Sequence, residues 1–379
     1  MENITHSLVG ATLAEIALPA TATTAQRRIF FTAGIIAANL PDADLFYARI
    51  TTPPLGYLLH HRGHTHTIGG LVAQALLIGL IALLPPLRRR IGRGAMRFGL
   101  LTAAALLSHL VLDSWNSYGV HPFWPFDNRW VYGDAIYIAE PWLWILLGVA
   151  AVMNARSLRP RVMIATLLGL LVIAVTWFKF ISFIAFASLT LFAVSMALMM
   201  TNLPRRARAM AALASAVVFV VAMFGLRHVV GQRAIASIAR APGAQVVDMV
   251  LSPEPANPLC WSALSVVKDE RAGEYVMTRG SVALVDVARC GAASHGRVVW
   301  EEPVRQSLVN LRRTVRDDCR VRAWMQFGRA PAMANAQITD LRFGALGRTN
   351  FTTMLPPAPN DACPQHLTAW AFPRADLLE

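Results

Sequence analysis

Charge is scarce in this chain: of its 379 residues only 15% are charged while 55% are hydrophobic. That balance is too apolar for an ordinary soluble enzyme of this size. Acidic side chains are especially thin in the first 240 residues, which hold eight, and cysteine is missing altogether before Cys260. No basic run precedes the first apolar stretch, which follows "MENITHS" directly, so that stretch reads as a retained helix and not as a cleaved secretory signal. The formal net charge of +13 does not indicate a nucleic-acid partner, because the basic residues sit in short clusters between apolar runs and do not interleave with aromatics. A membrane protein is the class that survives these absences.

Apolar runs lie near residues 7–20, 28–40, 66–87, 97–113 and 139–155, then over 162–200 and 209–226. About 20 residues cross a bilayer, so the 39-residue run Val162–Met200 should fold back once, near Lys179. Eight helices are expected. The first two runs are short and Glu15 interrupts the first, which leaves an interfacial or buried helix as the alternative for each. Arginine clusters at 27–28, 88–97, 156–161 and 205–208 fall in alternate connections, which the positive-inside rule assigns to the cytoplasm. The other connections, with both termini, then face outward, and six of the eight acidic residues lie in or beside them.

Beyond about Arg240 the pattern changes. "GEYVMTRGSVALVDVAR" and "GRVVWEEP" show short β-rich segments with partial alternation. The expected organisation is an all-α polytopic membrane domain of about eight helices, 1–240, followed by a small β-rich or α+β soluble domain, 241–379, on the extracytoplasmic side. Cys260, Cys290, Cys319 and Cys363 all lie in that second segment; an oxidising compartment would allow two disulfides, in three connectivities. No pair is spaced C-x-x-C, which argues against a zinc knot.

The stretch "HHRGHTHTIGG", His60–Gly70, is the strongest local signal, although a histidine tract alone is only compositional. It gains partners from topology. His6 begins the first helix, "NLPDADL" supplies Asp42 and Asp44, and "SHLVLD" places His109 and Asp113 four apart, on one helical face. His121 follows nearby. Imidazole and carboxylate without thiolate suit zinc, manganese or iron(II), as one ion or two. Each feature alone has a plain structural explanation, a capping aspartate or a buried His–Asp pair. Delivery by separate helix ends to one membrane face favours a shared site.

"THSLVG", "LPDADL", "HRGHTHT" and "SHLVLDSWNSYGVHPFWPF", in this order, resemble the YdjM/YbcI-like family of inner-membrane-bound metal-dependent hydrolases, over about residues 1–145. The resemblance implies a bacterial inner-membrane location and a metal site at His6, Asp42, Asp44, His61, His66, His109 and Asp113, with Arg62 beside it. His60 falls outside the motif and His64 occupies a variable position. Thr67 replaces the usual Ser, and Asn116 with Ser117 stands where Thr is common.

A hydrolase at the outer face would use one or two ions, zinc or manganese, to activate water, and so needs no Ser or Cys nucleophile. Arg62 would be the catalytic side chain, forking onto substrate oxygens, unless a salt bridge to Asp42 or Asp44 occupies it. A site at helix ends suits membrane lipids or another amphiphilic, lipid-linked substrate. The alternative is a non-catalytic membrane protein with a structural metal or a transport-related polar cluster; acidic groups gathered at one surface and the lack of a clear internal repeat weigh against transport. The sequence sets no oligomeric state.

Overall fold

The computed structural model describes residues 1–379 except for 286–288, 291–292, 295–296, 356–362 and 365–367. Ten α-helices come first: α1 Asn3–Ala17, α2 Thr24–Asn39, α3 Leu55–His60, α4 Ile68–Ala82, α5 Pro85–Ile91, α6 Ala95–Asp113, α7 Pro141–Asn154, α8 Leu158–Trp177, α9 Phe183–Met199 and α10 Arg205–Ser237. Local chemistry fixes their starts. The Glu2 carboxylate accepts from the Ile4 and Thr5 amides at 2.6 and 2.9 Å, and Thr23 with Gln26 forms a capping box at α2. Where α1 crosses α2, a Cβ on Gly10 would stand 2.4 Å from the Gly34 carbonyl oxygen, so this close approach requires glycine.

Each of the eight expected helices is present, yet fewer than eight are long enough to span. Among the described residues, four stretches are both long and apolar enough: Thr24–Ile50, Pro85–Asp113, Leu158–Trp177 and Arg205–Ser237. A fifth is obtained if Leu55–His66 and Ile68–Ala82, bent by 64°, count as one broken span. Helices α1, α7 and α9, with 15, 14 and 17 residues, fall short of the about 20 that a bilayer demands. Hydropathy cannot distinguish a span from a helix buried by its neighbours, and α1, with Thr5, His6 and Glu15 all buried, is the latter. The long run does turn at Lys179, which adopts a φ of +60° between α8 and α9.

The second part is α+β. Strands β1 Gln245–Glu254, β2 Asn257–Asp269 and β3 Glu274–Ala283 form an antiparallel meander. After two short strands, β4 Arg289–Cys290 and β5 Ala293–Ser294, come β6 Val298–Trp300 and β7 Val304–Ser307, which both pair with β3. Helices α11 Leu308–Asp317 and α12 Cys319–Met325, the hairpin β8 Pro331–Ala334 with β9 Gln337–Asp340, and α13 Ala375–Leu378 complete it. Of the two β-rich sequence stretches, 286–288 and Gly296 lie outside the described residues. The cysteines pair as Cys260–Cys290 and Cys319–Cys363.

Packing joins the two parts. Leu55, Leu58 and Leu59 of α3 share one buried cluster with Val266, Trp324 and Phe327, and the Trp370 indole donates to the Leu59 carbonyl at 2.8 Å. Arg329 forks onto Asp134 at 2.9 and 2.8 Å and also reaches Asp248 at 2.7 Å. At α7, Glu140 accepts the amides of Trp142 and of Ala256 in the β1–β2 turn, at 3.2 and 3.1 Å. Burial pushes the Glu140 carboxyl up to about 8. The helix bundle's polar end is thus capped by the sheet domain.

Candidate metal centre

Three local structures deliver the polar side chains. At the end of α2, Leu-Pro breaks the helix into a 3₁₀ turn, Leu40–Phe46, with Pro41 in its first positions and Asp42 and Asp44 on it. On α6, His109 and Asp113 are one turn apart and both fully buried. Between α3 and α4 a second 3₁₀ turn, His64–His66, is closed by Thr67, whose hydroxyl accepts the Gly70 amide at 2.9 Å. The chain enters this turn through Arg62 with a φ of +58°, a left-handed conformation that is unfavourable for a non-glycine residue and held here by the Arg62 amide donating to Asp44 Oδ2 at 2.9 Å.

Four of these side chains aim at one point. His66 Nε2 lies 3.0 Å from His109 Nε2, 3.3 Å from Asp113 Oδ2 and 3.5 Å from Asp42 Oδ1. His109 Nε2 lies 3.5 Å from each of the same two oxygens. The tautomers follow from the far sides of the rings. His109 Nδ1 is 2.6 Å from the Ala38 carbonyl oxygen, which can only accept, so the proton is on Nδ1. His66 Nδ1 faces Asp44 Oδ2 at 3.1 Å, which places its proton there in the same way. Both Nε2 atoms then present lone pairs to each other and to two carboxylates. Four acceptors then meet; the Arg62 guanidinium stands 3.0 Å from Asp113 Oδ2 with no hydrogen bond to it among the described residues, so their mutual repulsion is only partly offset. A cation resolves that conflict. With metal–ligand bonds of about 2.0–2.1 Å the edges of a tetrahedron are about 3.3–3.4 Å long, and the separations found are 3.0–3.5 Å.

The other sequence candidates take different places. Asp44 is saturated by the His61 ring at 3.0 Å, the Arg62 amide and the Thr65 hydroxyl at 2.8 Å, and so orients His66 and His61. Asp42, Asp44 and His61 form a second group with ligand atoms within 4.8 Å of one another, so Asp42 is common to two potential ion positions. His6 stacks on His109 at 3.8 Å and lies 3.4 Å from Asp113 Oδ1, which also takes the Met1 amino group; it flanks the four convergent atoms and is not one of them. Arg62 is not open to solvent. Its Nε lies 3.0 Å from Asp113 Oδ2, its Nη1 donates to Asn116 Oδ1 at 3.1 Å, and its guanidinium covers the Tyr118 ring at 4.7 Å. The salt bridge it forms is to Asp113, and not to Asp42 or Asp44.

His60 binds the Thr51 hydroxyl at 2.8 Å, His64 is exposed beside Trp124 at 4.6 Å, and His121 is sandwiched by Trp130 and Trp370 at 3.7 and 4.0 Å. None of the three enters the centre. Thr65 and Tyr118 escaped the sequence reading, although both lie inside the quoted motifs; a hydroxyl between His64 and His66 and an aromatic two residues past Asn116 carry no metal signal of their own.

Residues 1–183 match the model of the YdjM inner membrane protein. The inner membrane protein YbcI of Escherichia coli (strain K12) is 31% identical over 160 residues, a match covering 84% of that protein and 40% of this chain. The chain belongs to the YdjM family. It is a membrane protein, and the family names place such proteins in the inner membrane. No solved structure matches it. The YdjM match contains every residue of the centre and ends within α9, leaving α10 and the sheet domain outside it.

Proposed function

We propose that this YdjM-family protein is a membrane-bound, metal-dependent hydrolase that acts at the outer face of the inner membrane on a phosphoester or lipid-linked substrate. The observation that carries the reading is the convergence of four potential ligand atoms, one each from Asp42, His66, His109 and Asp113, within 4.8 Å of one another. A divalent ion held there, zinc or manganese, supplies an activated water and a Lewis acid. The chain's own groups do the positioning. Asp44 fixes the His66 tautomer, the Ala38 carbonyl fixes that of His109, and Arg62 holds Asp113 while offsetting its charge. Asp42 and His61, with side chains 10% and 11% exposed, form the edge at which a substrate could meet a second ion.

Two observations support the outer-face placement. Arg27, Arg28 and Arg156 line one groove together with Glu15, which pairs with Arg27 at 3.1 Å; Glu15 is nine residues along α1 from His6, about 13 Å at 1.5 Å per residue. The arginine end and the histidine end are therefore opposite ends of the same helix, as the positive-inside rule requires. The four cysteines are joined in two disulfides, which suits an oxidising compartment.

A structural ion is the second reading, favoured by one feature: four protein ligands in a nearly closed cluster leave little room for an open coordination position. A protonated His66 is the rival occupant of the same space. Elemental analysis of purified protein beside a His109→Ala variant separates the three. The hydrolase reading expects bound metal, its loss in the variant, and turnover of a phosphoester that vanishes with the metal. Metal without turnover on phosphoester and lipid-linked substrates points to the structural ion, and absence of metal from carefully loaded wild type points to the imidazolium.

A further inference from the structure

Beside the metal centre, and sharing its wall, is a cleft of about 490 Å³ between the helical part and the sheet domain, within the about 300–1,000 Å³ typical of small-molecule sites. One wall is Tyr57, Asn116 and Tyr118. Tyr57 stacks on His61 at 4.9 Å, and Asn116 and Tyr118 are the residues that hold Arg62. The opposite wall is a face of the β1–β2–β3 sheet. There the register pairs Ser252 with Ser262 and Ser262 with Ser281, setting three hydroxyls in a row across three strands. Arg279, two residues from Ser281 on β3, projects from the same face.

Several polar groups in this cleft lack partners. Asn116 Nδ2 and the Tyr118 hydroxyl are buried without a hydrogen bond among the described residues, although both residues are more than nine-tenths buried. Arg279 Nε is likewise buried and unpaired, its Nη2 being committed to the Leu341 and Gly344 carbonyls. No carboxylate forms an ion pair with Arg279 among the described residues. Arg342 is neutralised by Asp340 at 2.9 Å, and Glu301, the acidic member of the lining, is exposed. Burying such donors without acceptors costs about 1–3 kcal/mol each. The cleft is therefore donor-rich, carries a guanidinium that feels Glu301 and Asp340 only at a distance and has no direct ion pair among the described residues, and is bounded by apolar side chains such as Ile136, Leu264 and Phe343.

We infer that this cleft is the recognition site for a phosphate-bearing head group, whose several acceptor oxygens take Arg279, Asn116, Tyr118 and the serine row. The inference deepens the hydrolase reading by naming what is held beside the metal centre, and it assigns the sheet domain half of the substrate site. The phosphate could belong to a lipid or to a water-soluble ester, and the chemistry of the cleft is the same for both.

The test uses the full chain in lipid nanodiscs and measures binding by calorimetry and thermal shift. The probes are dioctanoyl phosphatidic acid and sn-glycerol 3-phosphate, with dioctanoylglycerol and glycerol as uncharged controls. Binding of either phosphate probe, without binding of its control, is expected, and the probe preferred identifies the source. Arg279→Gln should weaken that binding at least tenfold. Ser262→Trp, which fills the cleft from an exposed strand position and removes no side-chain hydrogen bond among the described residues, should abolish it, and it decides the matter if Arg279→Gln does not fold. Both variants should keep the wild-type metal content. Failure of both phosphate probes to bind, binding of the controls, or undiminished binding by Ser262→Trp overturns the inference. The metal reading fails separately, if the same wild-type samples bind the probe but hold no metal.

Discussion

Two buried clusters of charge lie within this molecule, and they are built on opposite principles. At the junction of bundle and sheet, Arg329 spends its guanidinium on Asp134 and Asp248, while its amide donates to Asp340 at 2.8 Å. Asp248 takes a second cation, Arg374, at 3.1 Å, and the paired guanidinium holds its carboxyl below the usual range despite burial. Donors match acceptors there, and the cluster is complete. At the centre formed by Asp42, His66, His109 and Asp113 the groups do not pair off, and Asp113 Oδ2 and the neighbouring Arg62 Nε are left without a hydrogen bond among the described residues. Equal burial with unequal pairing is what separates a joint that holds two parts together from a site that awaits something.

Breaking the complete cluster should give the largest effect on stability. Arg329→Ala strands Asp134 at a buried position and leaves Asp248 with Arg374 alone, and removing one partner of such a buried pair costs about 3–5 kcal/mol. Denaturation in detergent should show that loss, with metal content per folded molecule unchanged. A variant that loses metal while staying stable would mean that the two clusters are one.

Glu140 sharpens the same contrast by pH. Folding raises its carboxyl to about 8 from 4.5, so between those values the folded chain keeps a proton that the unfolded chain has released. Its contribution is therefore fully present below about 4.5 and is lost as pH rises through about 8. The docking of the Ala256 turn should weaken on the order of a few kcal/mol over that window, and Glu140→Gln should flatten the dependence. A wild type whose melting temperature is level from pH 5 to 8 would contradict this.

At the incomplete cluster the smallest perturbation is Arg62→Lys. The charge beside Asp113 survives, but the fork that also reaches Asn116 does not. Metal affinity should fall by about 10–100-fold, as for other groups that orient a ligand, while stability changes little. An unchanged affinity would show that Arg62 does not set the Asp113 carboxylate.

Much of this centre could be read before any coordinates were known, because its signals are local. His109 and Asp113 are one helical turn apart in any α-helix, and Leu-Pro ahead of Asp-x-Asp announces a broken helix end carrying carboxylates. What was illegible is set by the rotation of short turns. Asp42 and Asp44 look equivalent in sequence, yet the 3₁₀ turn sends one to the shared point and the other to the back of two imidazoles. Arg62 read as available for a substrate; its left-handed backbone instead folds the guanidinium inward over Tyr118. The strands of the meander were visible in their alternation, whereas the cleft they complete depends on pairings between residues more than a hundred positions apart.

The Trp370 indole on the Leu59 carbonyl spans 311 positions. Its consequence is a timetable. All the residues of the candidate centre lie before position 114, but the segment that carries His61, Arg62 and His66 rests on leucines covered largely by residues from Val250 onward, up to Trp370. Until the sheet domain is made, that segment is expected to lack most of its apolar support. The sheet domain thus covers the support of a centre to which it contributes none of the four convergent side chains.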